Sequence, residues 1–562
     1  MTRLPRLLGS TLTAAAVVSA LAAPTSATPG AAAAAEPFGP GPVPLTAATY
    51  DDGNGSSNAG AVLGDGYVFR AGTAATGQEL WVTDGTPAGT RLLADIWPGA
   101  SSGFPDRFAS FQGRVFFAAT DGTHGYELWV TDGTAAGTRM VKDINLGAEV
   151  SSPDDLVVSG GRLFFAAADR ENGKELWVSD GTAAGTVLAV DVNGGRNSSG
   201  PRRITPFRNG VVFAASPDTL GRYKPFFSDG TQGGTVRLDP LPLDQSVNPL
   251  EFVELGGRLL LTVYTEQSGV DLWTSNGAAG DGVLVKDINP GGDDGVAQLT
   301  RLGNRLVLTA KTAAAGYELW TTDGTAGGTQ LLRDIKEGPQ SATPSGYQVV
   351  GGRAWFVADD GVHGAELWST DGTPGGTVLA RDATPGAAGS EPDTLGLVGA
   401  RALFSLNTPG AGDEPWVVEP DGTLRPLGDL DPGATGSNAV PMGSLGNTWL
   451  FAASGVPGGQ VFAATLQPSS VQASAKRRYA AVKARKKRIR VKVAVSPGVT
   501  GGFVEVVRKG RVVGRAVVVN GTATVRITKR LRVGRHRLRA VYRGSVWAQS
   551  SPVDRLTIRV RR

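Results

Sequence analysis

Residues 156–192 read LVVSGGRLFFAAADRENGKELWVSDGTAAGTVLAVDV. Four apolar stretches stand in this segment, separated by Gly160-Gly161, by Arg170-Glu171-Asn172-Gly173 and by the turn signal Asp180-Gly181-Thr182. Gly-Gly and Asp-Gly pairs supply the positive φ that tight hairpins require, so the spacing predicts four short antiparallel strands. Phe164-Phe165-Ala166-Ala167 is apolar without alternation, the pattern of a strand covered on both faces.

The segment is one copy of a repeat. ELWVTDGT begins at Glu79 and Glu127, ELWVSDGT at Glu175, DLWTSNGA at Asp271, ELWTTDGT at Glu318 and ELWSTDGT at Glu366. Degenerate copies begin at Lys224 (KPFFSDGT), Glu414 (EPWVVEPDGT) and Gln460 (QVFAATLQ). The aromatic column therefore runs Trp81, Trp129, Trp177, Phe226, Trp273, Trp320, Trp368, Trp416 and Phe462, at intervals of 46 to 49 residues. A fixed period of that size marks a solenoid or a propeller. On these motifs, residues 42–466 resemble the bacterial ELWxxDGT repeat family. The resemblance implies a repeat and no particular activity.

The fold expected is all-β: a large β-propeller of about nine four-stranded blades, above the usual range of about four to eight. An open β-solenoid is the structural alternative. The last copy supplies three strands only, while residues 43–49 (VPLTAAT) align with the fourth-strand segment 378–383 and are followed by Ser56-Ser57-Asn58, as Ser151-Ser152-Pro153 follows elsewhere. These residues are expected to close the ring as an N-terminal strand. The 80 Gly and 34 Pro among 562 residues suit many short strands and tight turns.

The repeat stops after Gln467. From Pro468 onward stand 26 Lys plus Arg against two acids, Glu505 and Asp554, although the whole chain carries a formal charge of only +4. Residues 468–490 are expected as a basic linker and 491–562 as a small β-sandwich, with alternating runs near 503–507, 512–519, 523–527, 537–541 and 556–560. GRHRLRAVYRG at 534–544 resembles the GxxxLxAxYxG closing strands of bacterial Ig-like domains. Clustered cations can bind anionic polymers by counterion release; the alternative is a linker whose charge serves solubility.

Residues 1–35 read as a signal peptide with an Ala-rich leader. Arg3 and Arg6 precede the apolar run 7–23, with small-residue cleavage candidates at Ala20-Leu21-Ala22, Thr25-Ser26-Ala27 and Ala33-Ala34-Ala35. The chain is expected to be secreted, extracellular or associated with the cell envelope, monomeric, and without a transmembrane or covalent anchor. With no Cys, stability must come from packing, and thiol nucleophiles and thiolate metal sites are excluded.

Chemistry is sparse. His124 and His363 occupy one repeat position, in DGTHG and DGVHG, and read as turn residues rather than catalytic bases or ligands. Glu79, Glu127, Glu175, Glu318 and Glu366 form one column and Asp95, Asp143, Asp191, Asp287, Asp334, Asp382 and Asp429 another. Residues present in nearly every unit usually serve the unit, whereas a catalytic constellation breaks the symmetry. No catalytic, cofactor or metal residues are therefore assigned. Calcium at Gly291-Gly292-Asp293-Asp294-Gly295 is chemically possible, without EF-hand or RTX spacing.

The copies differ most over 97–106, 145–154, 193–202, 240–248 and 336–346, in the fourth-to-first strand connections. In a propeller these share a face with the second-to-third turns, and variable loops on a rigid scaffold carry recognition. The expected function is non-catalytic binding or adhesion, with a glycan or extracellular protein on that face and the basic domain as spacer or tether to an anionic cell-wall polymer. The alternatives are a carbohydrate-active enzyme with an acid pair on the face and a scaffold for other secreted proteins.

Overall fold

The computed structural model describes residues 43–49, 60–241, 247–266, 268–427, 436–437, 439–446, 448–453, 460–465, 470–474, 478–480, 490–496, 503–509, 511–517, 522–527, 534–543 and 551–561. Residues 1–35, Ser56-Ser57-Asn58 and Asp429 lie outside them. The described residues form strands and turns, with no helix, and hence no helix long and apolar enough to cross a membrane.

The segment 156–192 folds as its pattern predicts. Asp154–Ser159, Arg162–Asp169, Gly173–Ser179 and Val187–Val190 pair in sequence order as one antiparallel sheet. Register places Phe165 opposite Trp177 and Trp177 opposite Leu188. Six further four-stranded sheets repeat the arrangement, beginning at Asp106–Phe111, Arg202–Phe207, Val247–Leu255, Ala297–Leu302, Ser345–Val350 and Asp393–Val398. Numbered along the chain, the first unit is Gly60–Leu63, Gly66–Thr73, Gly77–Thr83 and Arg91–Ala94, and the ninth begins at Val440–Leu445.

The core lies between sheets, not within them. One buried cluster joins Phe111, Phe116, Leu128 and Ile144 of the second unit to Leu163, Phe165 and Trp177 of the third. Another joins Leu302, Val307 and Ile335 of the sixth to Tyr347, Phe356 and Trp368 of the seventh. Both faces of a middle strand are thus covered, which is why Phe164 and Phe165 can be adjacent and both fully buried. Cations add a second link between units. Lys142 Nζ donates to Thr186 O at 2.7 Å and stands 5.6 Å from the Trp177 ring centre; Lys286 with Thr329 and Trp320, and Arg333 with Thr377 and Trp368, repeat the contact.

The two ends of the repeat region meet. Val43–Thr49 pairs antiparallel with Gln460–Thr465, setting Val43 opposite Ala463 and Pro44 opposite Phe462. A single further bridge, Thr49 to Gly72, joins the ninth and first units into one eight-stranded sheet. Leu45 and Ala48 are buried in a cluster with Tyr67 and Phe69 of the first unit and Met442, Leu450 and Val461 of the ninth. The first strands of consecutive units contact one another along the chain, and Val440–Leu445 contacts Gly60–Leu63 in turn.

The C-terminal residues form two sheets in contact. One holds Ser470–Ser474, Arg490–Ser496 and Thr522–Arg526; the other holds Arg478–Ala480, Ser551–Arg561, Gly534–Arg543, Phe503–Arg508 and Arg511–Val517. Within the segment 468–490, Ser470–Ser474 pairs with Arg490–Ser496 and Arg478–Ala480 runs parallel to Ser551–Arg561. The period-two pattern Val471-Gln472-Ala473 was masked by the basic composition around it.

Truncating Leu45, 3 % exposed, opens a cavity at the junction of first and ninth units. Leu45→Ala is expected to cost about 2–5 kcal/mol, read as a lower urea midpoint at unchanged m-value. A midpoint equal to that of the parent would mean that the closing strand contributes nothing to stability.

Candidate functional site

The third strand carries the acidic column, and five of its glutamates point into the protein. Glu79, Glu127, Glu175, Glu318 and Glu366 are all fully buried. Each takes backbone N–H groups from the loop that crosses to the next unit. Glu79 accepts from Ile96 (2.7 Å), Trp97 (3.2 Å) and Gly103 (2.6 Å). Glu175 accepts from Val192 N, Ser199 N and Ser199 Oγ, and Glu318 from Ile335, Lys336 and Ala342. The loop makes no ladder of its own, so the carboxylate satisfies donors that would otherwise be buried unpaired. Burial outweighs these donors and pushes Glu79, Glu175 and Glu318 up to about 7.

Three units lack the Glu: the ninth has Gln460 at this position, and the fourth and fifth replace its action. In the fourth, Lys224 is fully buried and its Nζ lies 3.6 Å from Asp239, which also sits 3.5 Å from Arg237 Nε. The charge has been inverted, strand cation against loop carboxylate. In the fifth, Asp271 is one methylene too short; Asp294 comes from the loop to accept Ile288 N at 2.7 Å and Asn289 N at 2.6 Å. Burial, aided by the neighbouring Asp294 and Asp287, raises Asp271 to about 6.

The other repeated polar residues close turns. Asp180 Oδ1 accepts from Thr182 N (2.8 Å) and Thr182 Oγ1 (2.7 Å), Thr182 Oγ1 accepts from Gly185 N (3.0 Å), and Thr186 Oγ1 donates to Thr182 O (2.7 Å). Gly181 holds φ 91°, and a Cβ on Gly185 would stand 2.1 Å from the Asp180 carboxyl carbon. Every residue type of DGTxxGT is thereby used, and the set recurs at Asp84, Asp132, Asp323 and Asp371. In the second acidic column, Asp95, Asp143 and Asp334 accept from Gly99, Gly147 and Gly338, within their own loops, and Asp191 accepts from Gly194 and Gly195.

His124 and His363 sit identically. Nδ1 lies 2.8 Å from Asp121 and Asp360 respectively, and each backbone N–H donates to the same carboxylate. The hydrogen bond to Asp121 holds the His124 imidazole above its ordinary pKa, and Asp360 does the same for His363. At the loop considered for calcium, Asp293 accepts from Val270 and Gly295 while Asp294 serves the loop clamp. Among the described residues, no three or more His, Asp or Glu side chains are grouped to hold a metal ion.

Described variable loops each pack on a neighbouring unit. Six fourth-to-first loops lie on the second-to-third turn of the next unit; among their bonds, Gly103 O accepts from Thr120 N, Ser151 O from Ala168 N, Ser199 O from Ser216 N, and Asn193 Nδ2 donates to Asp218 O. Trp97, Phe104, Leu146, Val150, Leu220 and Val362, all exposed, stand on these loops and turns. Trp97 and Phe104 were not singled out in the sequence. Their signal was available: Trp97 stands where other units have Asn145, Asn193 and Asn289, whose amides clip their own loops.

No family model and no curated protein sequence matches the chain. Among solved structures, it is similar to a puromycin hydrolase at 16% identity, covering 75% of this chain and 61% of that one with TM-score 0.35. It is similar to prolyl endopeptidases at 13% identity, covering 71% and 55% with TM-score 0.35. Oligopeptidase B from Leishmania major gives 11% identity, 70% and 53% coverage and TM-score 0.34. The chain thus spans little more than half the length of these enzymes, and TM-scores at this level say nothing of activity or substrate.

A carboxyl raised by folding binds its proton more tightly in the folded state. The stability it contributes is complete below the unfolded value of 4.5 and is lost as pH rises through 7. The calorimetric Tm of the repeat region is therefore expected to fall between about pH 5 and pH 8, less steeply in Glu175→Gln. Glu175→Ala leaves Val192 N and Ser199 N without their acceptor and should cost about 1–3 kcal/mol. A Tm that rises over this pH range would contradict the assignment.

Proposed function

We propose that the chain is an exported binding or adhesion protein, with residues 42–466 closed into a nine-bladed propeller of the ELWxxDGT kind that presents one recognition face. One observation carries the reading. The polar residues that recur from unit to unit are consumed by backbone donors and turns, while the differences between units gather on the fourth-to-first loops and second-to-third turns. Closure into a ring is supported by the pairing of Val43–Thr49 with Gln460–Thr465 and by the cluster shared between the ninth and first units.

The C-terminal unit acts as an Ig-like tether to an anionic envelope polymer. Its strands alternate in charge as well as burial: Val491, Val493, Val525, Leu538 and Ala540 are buried, whereas Lys492, Arg526, Arg537 and Arg539 are exposed. Register sets Arg490 opposite Arg526 and Arg535 opposite Arg559. A row of exposed cations such as Lys492, Arg526, Arg537 and Arg539 binds a polyanion with release of its counterions.

Sedimentation of the full chain with isolated bacterial cell walls tests the tether. The protein is expected to pellet at about 50 mM salt and to be released steeply by about 200 mM. Arg526→Glu/Arg537→Glu/Arg539→Glu is expected to remain in the supernatant throughout. Pelleting that ignores salt, or that survives the triple reversal, would overturn electrostatic tethering.

A further inference from the structure

The loop between the first and second units departs from its equivalents in one chemical respect: it exposes aromatic surface. Trp97 is 36% exposed and Phe104 49% exposed. Both are anchored at the backbone, since Trp97 N and Gly103 N donate to the same oxygen of Glu79. Phe104 is held at φ 46°, a left-handed conformation costly for a bulky residue, and its carbonyl accepts from Tyr126 Oη of the next unit. The equivalent left-handed positions carry Ser152, Gly200, Thr343 and Glu391.

Trp97 rests on Gly122 in the second-to-third turn of the second unit. A Cβ there would stand 2.4 Å from the indole Cε2, so the missing side chain makes the seat. The same seat recurs at Gly361, and its occupant separates structure from recognition. There the aliphatic stem of Lys336 lies 3.1 Å from the Cβ position, and Lys336 Nζ is tied back to Asp359 at 2.6 Å. A lysine stem with an acid therefore suffices to pack this junction. In the first loop Thr120 stands in place of the acid, and an indole stands in place of the stem.

Polar groups stand on the turn that Trp97 meets and on the strands that follow its loop. His124, two residues beyond Gly122, has Nδ1 engaged by Asp121, which leaves Nε2 as the ring nitrogen for another partner. Beyond Phe104, Arg107 and Lys174 both reach Asp154, at 3.1 Å and 3.7 Å, with 42%, 30% and 36% of the respective side chains exposed. Asp106, 3.7 Å from Arg107 Nε, is the second acid, so two cations face two carboxylates and the group offers hydrogen-bond donors and acceptors without a strong net field. An aromatic face beside such groups suits a ring with an apolar C–H face and a rim of hydroxyls.

We propose that Trp97, with Phe104 of the same loop, is a stacking subsite for a pyranose residue of a polysaccharide, with His124 and the Arg107–Asp154–Lys174 group as hydroxyl partners. This rests on the variable face being the recognition face. A protein partner is the weaker fit, because one short loop with two aromatic side chains falls far below the roughly 800 Å² per side of a standard protein interface.

The test is affinity electrophoresis of the full chain through gels cast with xylan, soluble starch or glycol chitin. At least one polymer is expected to retard the parent, and Trp97→Ala to weaken that retardation at least about tenfold, a loss of hot-spot size. Trp97→Phe should stay close to the parent. Trp97→Lys/Thr120→Asp rebuilds the packing found at Gly361; it is expected to melt like the parent and to lose retardation. The proposal is overturned if no polymer retards the parent, or if the Lys/Asp variant is retarded normally. If that variant binds normally and replacing residues 193–202 abolishes retardation, the recognition face stands and the Trp97 subsite falls. A protein ligand that requires Trp97, with no polymer retarded, would overturn the carbohydrate assignment alone.

Discussion

A buried carboxylate that gathers the backbone N–H groups of a crossing loop is the interaction on which the repeat region depends. Strands satisfy their own polar groups through ladders, but the chain must leave each sheet and start the next, and that stretch passes through an interior that offers no water. Glu79, Glu175 and Glu318 each resolve the difficulty with three donors on one side chain. The same residues fix where the loop sits, and therefore where its variable side chains emerge.

The exceptions are informative because they preserve the physics with different atoms. Lys224 paired with Asp239 inverts the sign, and Asp271 backed by Asp294 divides the work between two shorter acids. Each substitution on the strand is answered by one on the loop, as expected where an unpartnered buried charge would be severely destabilising. The DGTxxGT turn exchanges atoms in the same way in the fifth unit, where Asn276-Gly277-Ala278 replaces Asp-Gly-Thr and Asp281, further along the turn, accepts from Asn276 N at 2.8 Å and from Ser275 Oγ.

Repeated and variable residues are thus separated in space. The columns common to the units carry the fold; the loops held by the Glu column are free to differ without disturbing it. The same division runs through the C-terminal unit, where apolar residues turn inward from the sheets and cations turn outward.

Much of this was legible in the residues themselves. The four strands of 156–192, their Gly-Gly and Asp-Gly turns, the closing pairing of Val43–Thr49 and the structural use of the Glu column all follow from local pattern and period, because each depends on contacts that recur at a fixed spacing. Tertiary structure alone decided the rest: that Lys224 meets Asp239, that Trp97 lies on Gly122, and that Lys336 lies on Gly361. Those contacts join different strands, loops and units through side-chain reach and an absent Cβ, and neither periodicity nor composition encodes a distance between atoms on separate turns of the chain.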